Sequence, residues 1–339
     1  MDVTATLIPE PIAAAFELDG GPVEPIASGR VNEHWLVGRG GERCVLRRYA
    51  AGQTAPSIAW EHRLLRHFAG RGWPVAAPLA SAAGDSLAAA EGALFALFPF
   101  LAGAPVEFGT PAARTLKGRL LAHLHADGAR FEEGQRPGLG RAWELDALAA
   151  RADGLTFNAL LATFAREYPE LGRGVRAARY RNLRELARLG YGDLPDAVVH
   201  CDFHNDNLFF EGGHLSALLD FDWAHRDAAA YDIAVSLSLD CLTPPVFDAV
   251  SPEAAGAFIA GYAGLRRLSE EEIALVPALI RAAWLSLVTF RLVQWHEGWL
   301  PAGRAVASVA RTVERRFPAL DGGAPALIEA VRRANASVR

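Results

Sequence analysis

A cluster of polar side chains stands between two hydrophobic segments near the middle of this 339-residue chain. The cluster is HCDFHNDN, residues 200–207; DAVV precedes it and LFF follows it. A short apolar run on each side predicts two strands, and the polar residues between them predict a connecting loop. The fold is therefore expected to contain a strand–loop–strand unit whose loop carries several ionisable groups.

Three interpretations of this loop compete. A zinc site would use His200 and His204, because ligands four residues apart meet on one face of a helix. The β-like run VVHCDF disfavours such a helix, and no glutamate stands beside either histidine. A polar turn without chemistry is the simplest alternative, and a loop for phosphoryl transfer is the third.

A second acidic segment favours the third interpretation. Residues 215–223, LSALLDFDW, are expected to form a hydrophobic strand that delivers Asp220 and Asp222. Asp202, Asn207 and Asp220 then have the spacing D-x4-N-x12-D. In phosphoryl transfer one carboxylate accepts the proton of the attacking hydroxyl, while an asparagine and an aspartate hold Mg²⁺ on the nucleotide phosphates. Oxygen ligands of this kind suit Mg²⁺, so the motif predicts an enzyme that uses ATP and Mg²⁺.

Composition narrows the class of protein. Charged residues make up 22% of the chain and hydrophobic residues 51%, as in ordinary globular enzymes. The net charge of −5 argues against a nucleic-acid or membrane-surface binder, and no uninterrupted apolar run is long enough to cross a bilayer. Three separate cysteines and a start without a basic signal region predict a cytoplasmic protein with reduced thiols. The expected partner is a small hydroxylated substrate, and no pattern indicates an oligomeric state.

The pattern of the chain changes near residue 100. Before that point short β-like segments dominate, including a hairpin around GRGG and a buried strand at residues 93–101. After it helical periodicity dominates, with one helix starting at Thr110 and another at the capping box of Ser269 and Glu272. The first of these helices is expected to bury Leu116, Leu120, Leu121 and Leu124. The predicted fold is α+β, with a β-rich N-terminal lobe (1–98), a hinge (99–104) and a mainly helical C-terminal lobe (105–339).

The loop and the strand end together resemble the signature H-x-D-x4-N…D-F/W of the aminoglycoside phosphotransferase and choline kinase superfamily. The longer run HCDFHNDNLFFEGGHLSALLDFDWAHRDAAAYDIAV is particularly similar to type II homoserine kinases. The segments IASGRVNEHWLV, LLAHLHA and AFIAGYAGL resemble that family's order, so the resemblance extends with gaps from about residue 22 to 295. It implies a two-lobed, protein-kinase-like fold.

The resemblance also implies roles for the motif residues. Asp202 resembles the catalytic base, and Asn207 and Asp220 resemble the magnesium ligands. Asp232, in YDIA, resembles an aspartate that anchors the catalytic loop, and His200 is expected to brace that loop. Three neighbours keep two interpretations each: substrate contact or solvent for His204 and Asp206, and a second metal ion or a helix cap for Asp222.

The expected nucleotide-binding lobe departs from the family pattern at one position. Kinase-like folds place a lysine on the third strand, paired with a helix glutamate, to bind the α- and β-phosphates. The single lysine of this chain, Lys117, stands in the leucine-rich helix and is not available for this role. Matching CVLR to the V-A-I-K pattern places Val45 over the adenine and Arg47 at the phosphates, with Glu61 as its partner. Arginine can bind phosphate, although its planar guanidinium is bulkier.

The other nucleotide-binding candidates flank these strands. The turn SGRVN is expected to cover the phosphates, and the end of the strand at 93–101 leads to the hinge. The alternative for Arg47 is a solvated arginine at the edge of the sheet. The remaining candidates are Gly29, Arg30, Asn32, Phe98 and Phe100.

The phosphate acceptor is expected to be homoserine or a related amino alcohol. From His200 onward acidic side chains only slightly outnumber basic ones, which does not suit a polycationic aminoglycoside. Arg281 or Arg291 is a candidate for binding the substrate carboxylate, and Asp206 for its ammonium group. The alternatives are an antibiotic phosphotransferase and a catalytically weak nucleotide-binding scaffold; the presence of all three motif residues argues against the scaffold.

Overall fold

The computed structural model describes residues 8–26, 32–107 and 109–337. The chain forms two compact units, residues 1–105 with 208–221 and residues 106–207 with 222–339. The first unit is built around an antiparallel sheet and the second is mainly helical, which confirms the predicted α+β class.

The strands and helices are numbered in chain order. The strands are β1 (Glu24–Pro25), β2 (Glu33–Arg39), β3 (Glu42–Arg48), β4 (Ala88–Ala90), β5 (Ala93–Pro99), β6 (Ala104–Pro105), β7 (Asp196–Val199), β8 (Leu208–Glu211), β9 (His214–Leu218) and β10 (His225–Ala228). The α-helices are α1 (Glu10–Ala15), α2 (Ala55–Ala69), α3 (Pro111–Gly128), α4 (Leu145–Ala149), α5 (Phe157–Glu167), α6 (Pro169–Arg188), α7 (Ala229–Asp240), α8 (Pro252–Ala263), α9 (Glu270–His296), α10 (Ala302–Arg311) and α11 (Phe317–Ser337).

The main sheet of the first unit has the antiparallel order β1-β2-β3-β5-β4. The predicted hairpin is present as β2 and β3, and its turn has positive φ at Gly40 (58°) and Gly41 (79°). Glycine adopts such angles at little cost, which explains the GRGG sequence at this point. One face of the hairpin packs into the core of the unit. The residues of that core include Ile12, Phe16, Trp35, Val37, Cys44, Leu46, Phe95 and Leu97.

The hairpin of β8 and β9 belongs to the first unit although it follows the polar loop in sequence. Strand β6 pairs with β8, and the backbone N–H of Leu218 donates to the Pro74 carbonyl (2.8 Å). Gly103 packs so closely here that an added Cβ would lie 2.2 Å from Ser216 Oγ. The predicted lobes are contiguous in sequence, whereas this unit is not, because strand pairing between distant segments joins the hairpin to it.

Helix α9 forms much of the core of the second unit. Its predicted capping box is present: Ser269 Oγ accepts from the Glu272 N–H (3.2 Å), and the Glu272 carboxylate accepts from the Ser269 N–H (2.9 Å). Among the helices in the described ranges, α9 alone is long and apolar enough to cross a membrane. However, 72% of its apolar stretch is buried inside the protein, as is usual for a core helix.

Helix α3 starts as predicted, with Thr110 Oγ1 accepting a hydrogen bond from the Ala113 N–H (3.2 Å). The prediction that Leu116 is buried is wrong, since it is 36% exposed whereas the neighbouring Lys117 is 1% exposed. The face of α3 that turns inward is set by close packing on α8. An added Cβ at Gly118 would lie 2.0 Å from a backbone carbonyl oxygen of α8.

Candidate active site

The polar loop after β7 is held by Asp232, which lies in the first turn of α7. Its carboxylate accepts hydrogen bonds from the backbone N–H groups of His200 (2.6 Å) and Cys201 (2.9 Å), and from His125 Nε2 (3.0 Å). Cys201 has a left-handed conformation (φ 59°), which turns the chain out of the strand. The predicted anchoring of the loop by Asp232 is therefore confirmed.

Asp232 is fully buried, yet its pKa is lowered. Burial by itself raises the pKa of a carboxyl group, but the hydrogen bond and electrostatic interaction with His125 outweigh it, helped by the donors of the loop backbone. The other ring nitrogen of His125 is hydrogen-bonded to the Tyr262 hydroxyl (2.8 Å). A buried carboxylate with this many donors restrains the loop in one conformation.

Asp202 and Asn207 are brought together within the loop. The Asn207 side-chain amide donates to the Asp202 backbone carbonyl and to Asp202 Oδ2, at 2.9 Å each. A short 3-10 turn, Asn205–Asn207, returns the chain towards Asp202 and makes both contacts possible. The Asp202 side chain keeps 25% of its surface exposed, so its carboxylate is accessible to a substrate.

The Asp202 carboxylate is ionised at neutral pH. Burial tends to raise its pKa, but the hydrogen bond and charge of His204, together with His200 and Asn207, lower the pKa below its ordinary value. The distance from His204 Nε2 to Asp202 Oδ1 is 3.4 Å. An ionised, oriented carboxylate of this kind can accept the proton of a hydroxyl group.

The loop offers an oxygen ligand for a hard cation. Because the Asn207 amide nitrogen donates to Asp202, the orientation of the amide is set, and Asn207 Oδ1 accepts no hydrogen bond from any residue that the structure describes. Asp220, the second predicted ligand, is exposed just after β9 and has a φ of 60°, which aspartate tolerates better than most residues. An amide oxygen and a carboxylate fit the ligand preference of Mg²⁺.

The histidines of the loop do not form a zinc site. In residues 8–26, 32–107 and 109–337 no group of three or more His, Cys, Asp or Glu side chains is arranged to hold a metal ion. His200 instead accepts a hydrogen bond at Nδ1 from the Asp202 N–H (3.2 Å). It therefore braces the loop, as predicted.

In the first unit Arg47 and Glu61 form the predicted ion pair, with Arg47 Nη1 3.2 Å from Glu61 Oε1. Glu61 is buried, and Arg47 Nε also donates to His34 Nε2 (3.1 Å). The interpretation of Arg47 as a solvated edge residue is therefore wrong. The geometry is that of a kinase lysine–glutamate pair with arginine in place of lysine, and phosphate binding by Arg47 stays a prediction.

Of the two aromatic candidates, Phe98 lies near this pair and Phe100 packs against Arg43. Val45 pairs in register with Phe98 of β5, and the Arg47 guanidinium lies 5.1 Å from the Phe98 ring centroid. Phe100 lies under the Arg43 guanidinium at 4.0 Å. Val45 and Arg47 share the face of β3 opposite to the core, as the two-residue period requires. The nucleotide-binding roles of these residues stay predictions.

Asn32 is buried, and its Oδ1 accepts hydrogen bonds from the Ala50 N–H (3.0 Å) and from Gln53 Nε2 (3.3 Å). These contacts give Asn32 a role in supporting the segment after β3. Gly29 and Arg30 lie outside the described residues. Nucleotide contacts by these three residues stay predictions.

No local sequence pattern predicted the contacts that Lys117 makes with the polar loop and with α7. Its ammonium group forms an ion pair with Asp240 of α7 and donates to Asn205 Oδ1 in the loop (3.3 Å). Burial lowers the pKa of Lys117 to about 7, although nearby carboxylates, Asp202 among them, act in the opposite direction. The sequence feature that could have drawn attention to Lys117 is that it is the single lysine among 34 basic residues.

Two other expectations need correction. Arg281 is buried, and its guanidinium donates to Glu185 of α6 and to Asp321 of α11 (2.6 Å). The prediction that Arg281 binds a substrate carboxylate is therefore wrong, because two helices already provide carboxylates. Asp222 does not cap the following helix, because α7 begins after Ala228 and no side chain forms a capping hydrogen bond there.

Solved structures of small-molecule kinases share this fold. The amicoumacin kinase hAmiN, in complex with AMP-PNP, Ca²⁺ and Ami, has a TM-score of 0.69 at 17% identity, covering 92% of this chain and 91% of that one. A microcompartment-associated aminopropanol kinase has a TM-score of 0.66 at 17% identity, covering 93% and 97%. The predicted kinase-like fold is confirmed.

Sequence comparisons agree with the fold. Over 296 residues the chain is 32% identical to a homoserine kinase from Methylobacterium nodulans, covering 86% of this chain and 87% of that protein. Residues 22–271 match the model of the phosphotransferase enzyme family. Because this match includes the loop, its anchor and the Arg47–Glu61 pair, the chain belongs to the phosphotransferase enzyme family.

Proposed function

We propose that this protein is an ATP- and Mg²⁺-dependent kinase that phosphorylates the hydroxyl group of homoserine or a closely related amino acid. The observation that carries this proposal is the ionised Asp202 carboxylate, bonded to Asn207 in a loop that buried Asp232 anchors. Family membership supports phosphoryl transfer, and the homoserine kinase from Methylobacterium nodulans supports the acceptor.

The loop residues have separate roles in this reaction. Asp202 orients the acceptor hydroxyl and accepts its proton as the oxygen attacks the γ-phosphorus of ATP; the bond from that phosphorus to the bridging oxygen breaks, and ADP leaves. Asn207, through Oδ1, and Asp220 would hold Mg²⁺, which neutralises negative charge on the nucleotide phosphates. His204, beside the Asp202 carboxylate, keeps that carboxylate in its ionised form.

The nucleotide phosphates would be bound by Arg47, which its pairing with buried Glu61 holds in place. The complex of hAmiN with AMP-PNP supports ATP as the phosphate donor. An intact arginine–glutamate pair together with an intact catalytic loop favours a working kinase over a nucleotide-binding scaffold.

Replacing Arg47 with alanine is expected to raise the KM for ATP and to lower kcat, together by about tenfold or more, because a charge-assisted phosphate contact is lost. Arg47→Lys should keep substantial activity, since it restores a point charge. The control is Arg48→Ala, which removes the neighbouring exposed arginine that pairs with Glu33. Steady-state kinetics against ATP would exclude the phosphate role if Arg47→Ala matched the wild-type protein.

The acceptor is tested by measuring coupled ADP release with homoserine, other small hydroxylated compounds and kanamycin-type aminoglycosides. Homoserine or a close relative is expected to be turned over efficiently and the aminoglycosides poorly, because the second half of the chain has too small an acidic excess for a polycation. Efficient turnover of an aminoglycoside with none of homoserine would reject this acceptor and leave the kinase assignment in place.

A further inference from the structure

A homoserine-like acceptor needs a cation for its carboxylate, and Arg281 is committed to other helices. Arg151, which follows α4, differs from Arg281 because its guanidinium stacks on an aromatic ring. Its guanidinium carbon lies 4.7 Å from the centroid of the Trp223 ring. Within the described ranges, neither a carboxylate nor a carbonyl forms an ion pair or hydrogen bond with this half-buried guanidinium. Its donors are therefore available to an anionic ligand.

The aromatic support under Arg151 is rigid. The Trp223 ring packs edge-to-face on Phe290 of α9, with centroids 5.5 Å apart and planes at 86°. Two hydrogen bonds hold the turn that carries Trp223: His225 Nδ1 donates to the Trp223 carbonyl (2.7 Å), and Arg136 Nη1 donates to the next carbonyl (3.1 Å). A guanidinium stacked on a fixed ring loses little freedom when it binds a ligand.

The charges around Arg151 favour one class of ligand. Burial lowers the pKa of Arg151, the Asp222 carboxylate acts against this, and the Arg136 cation acts in the same direction as burial. A planar guanidinium with unused donors matches a carboxylate, which can accept two hydrogen bonds from it. The nearby negative charge of Asp222 disfavours a dianion such as phosphate more than a singly charged carboxylate.

The position of Trp223 in the chain connects this group to the reaction. Trp223 follows Asp220, the predicted magnesium ligand, by three residues. Even a fully extended segment of that length spans at most about 11 Å. A carboxylate bound at Arg151 would thus belong to a small molecule held near the segment that carries the metal ligand.

We propose that Arg151, supported by Trp223, binds the carboxylate of a small α-amino acid acceptor. This inference rests on the proposed function and extends it, because it names the residue that selects an amino acid over an amino alcohol. The two acceptors that separate these classes are homoserine and 3-aminopropan-1-ol, which is homoserine without its carboxylate.

The test compares kcat/KM for these two acceptors in four proteins: the wild type, Arg151→Gln, Arg151→Lys and the control Arg130→Gln. Arg130 is an exposed arginine of the same unit, so its replacement makes the same change in net charge. Arg151→Gln is expected to lower kcat/KM for homoserine by about 10- to 100-fold, mainly through KM, and to leave the value for 3-aminopropan-1-ol within about twofold. Arg151→Lys should recover part of the loss.

The outcomes separate this inference from the proposed function. A wild-type protein that phosphorylates neither acceptor contradicts the proposed function and the inference with it. Turnover of homoserine that Arg151→Gln does not change, or an equal loss with both acceptors, overturns the role of Arg151 alone, since a purely structural arginine would affect both acceptors alike. Should Arg151→Gln fail to fold, the same preferential loss with homoserine is required of Arg151→Lys.

Discussion

Replacing Asp202 with alanine is expected to lower kcat by at least about 100-fold, because a positioned proton acceptor typically contributes that much or more. ATP binding should remain nearly intact, since no nucleotide contact is assigned to Asp202. The measurement is kcat with saturating ATP and acceptor, together with the Kd of ATP from calorimetry. Asp202→Asn is a second variant that keeps an oxygen to accept the hydrogen bond from the Asn207 amide.

Asp206→Ala is the matched control for this experiment. Asp206 lies in the same loop, and its replacement removes the same charge. Its side chain is 85% exposed, which favours the interpretation of Asp206 as a solvated residue over substrate contact. It should keep a kcat close to that of the wild type. Wild-type turnover by the Asp202 variants would reject Asp202 as the base, whereas equal losses for Asp202→Ala and Asp206→Ala would indicate a general effect of charge on the loop.

Replacing Asp220 with asparagine is expected to raise the Mg²⁺ concentration needed for half-maximal activity by about tenfold or more, because a charged oxygen ligand becomes neutral. Asn207→Ala should act in the same direction but less, since a neutral ligand is lost. The Asn207 variant should also lower kcat at saturating Mg²⁺, because the Asn207 amide orients the Asp202 carboxylate. Both effects are read from Mg²⁺ titrations of activity at fixed ATP.

Glu211→Gln is the control for the metal experiment. Glu211 is an exposed acid on the hairpin of β8 and β9, so its replacement makes the same change in charge away from the end of β9. Its Mg²⁺ titration should match that of the wild type. If Asp220→Asn and Asn207→Ala both titrate like Glu211→Gln, these residues are not the magnesium ligands.

The features that local patterns predicted were those whose partners are close in the chain. The glycine turn of the first hairpin, the cap at Thr110 and the capping box of Ser269 and Glu272 all depend on residues a few positions apart. Asp202 and Asn207 are also close in sequence, so their spacing was enough to predict that they meet. The Arg47–Glu61 pair was predicted by matching CVLR to the kinase V-A-I-K pattern, in which the strand lysine pairs with a helix glutamate.

Three contacts between residues far apart in the chain were not predicted from the sequence. Lys117 pairs with Asp240, Arg281 with Asp321, and Arg151 stacks on Trp223, and in each pair the residues lie many positions apart. No local pattern in the sequence predicts the partner of any of these three cations.

Long-range packing gives these cations their separate roles. Burying a charge is unfavourable unless a partner compensates for the lost hydration, and that partner comes from whichever helix or turn packs against it. The same reason explains why the hairpin of β8 and β9 joins the first unit, since strand pairing depends on segments that local periodicity cannot connect. The type of each element and the spacing of its motif residues are thus local properties, whereas the partner of a buried charge is a property of the packed chain.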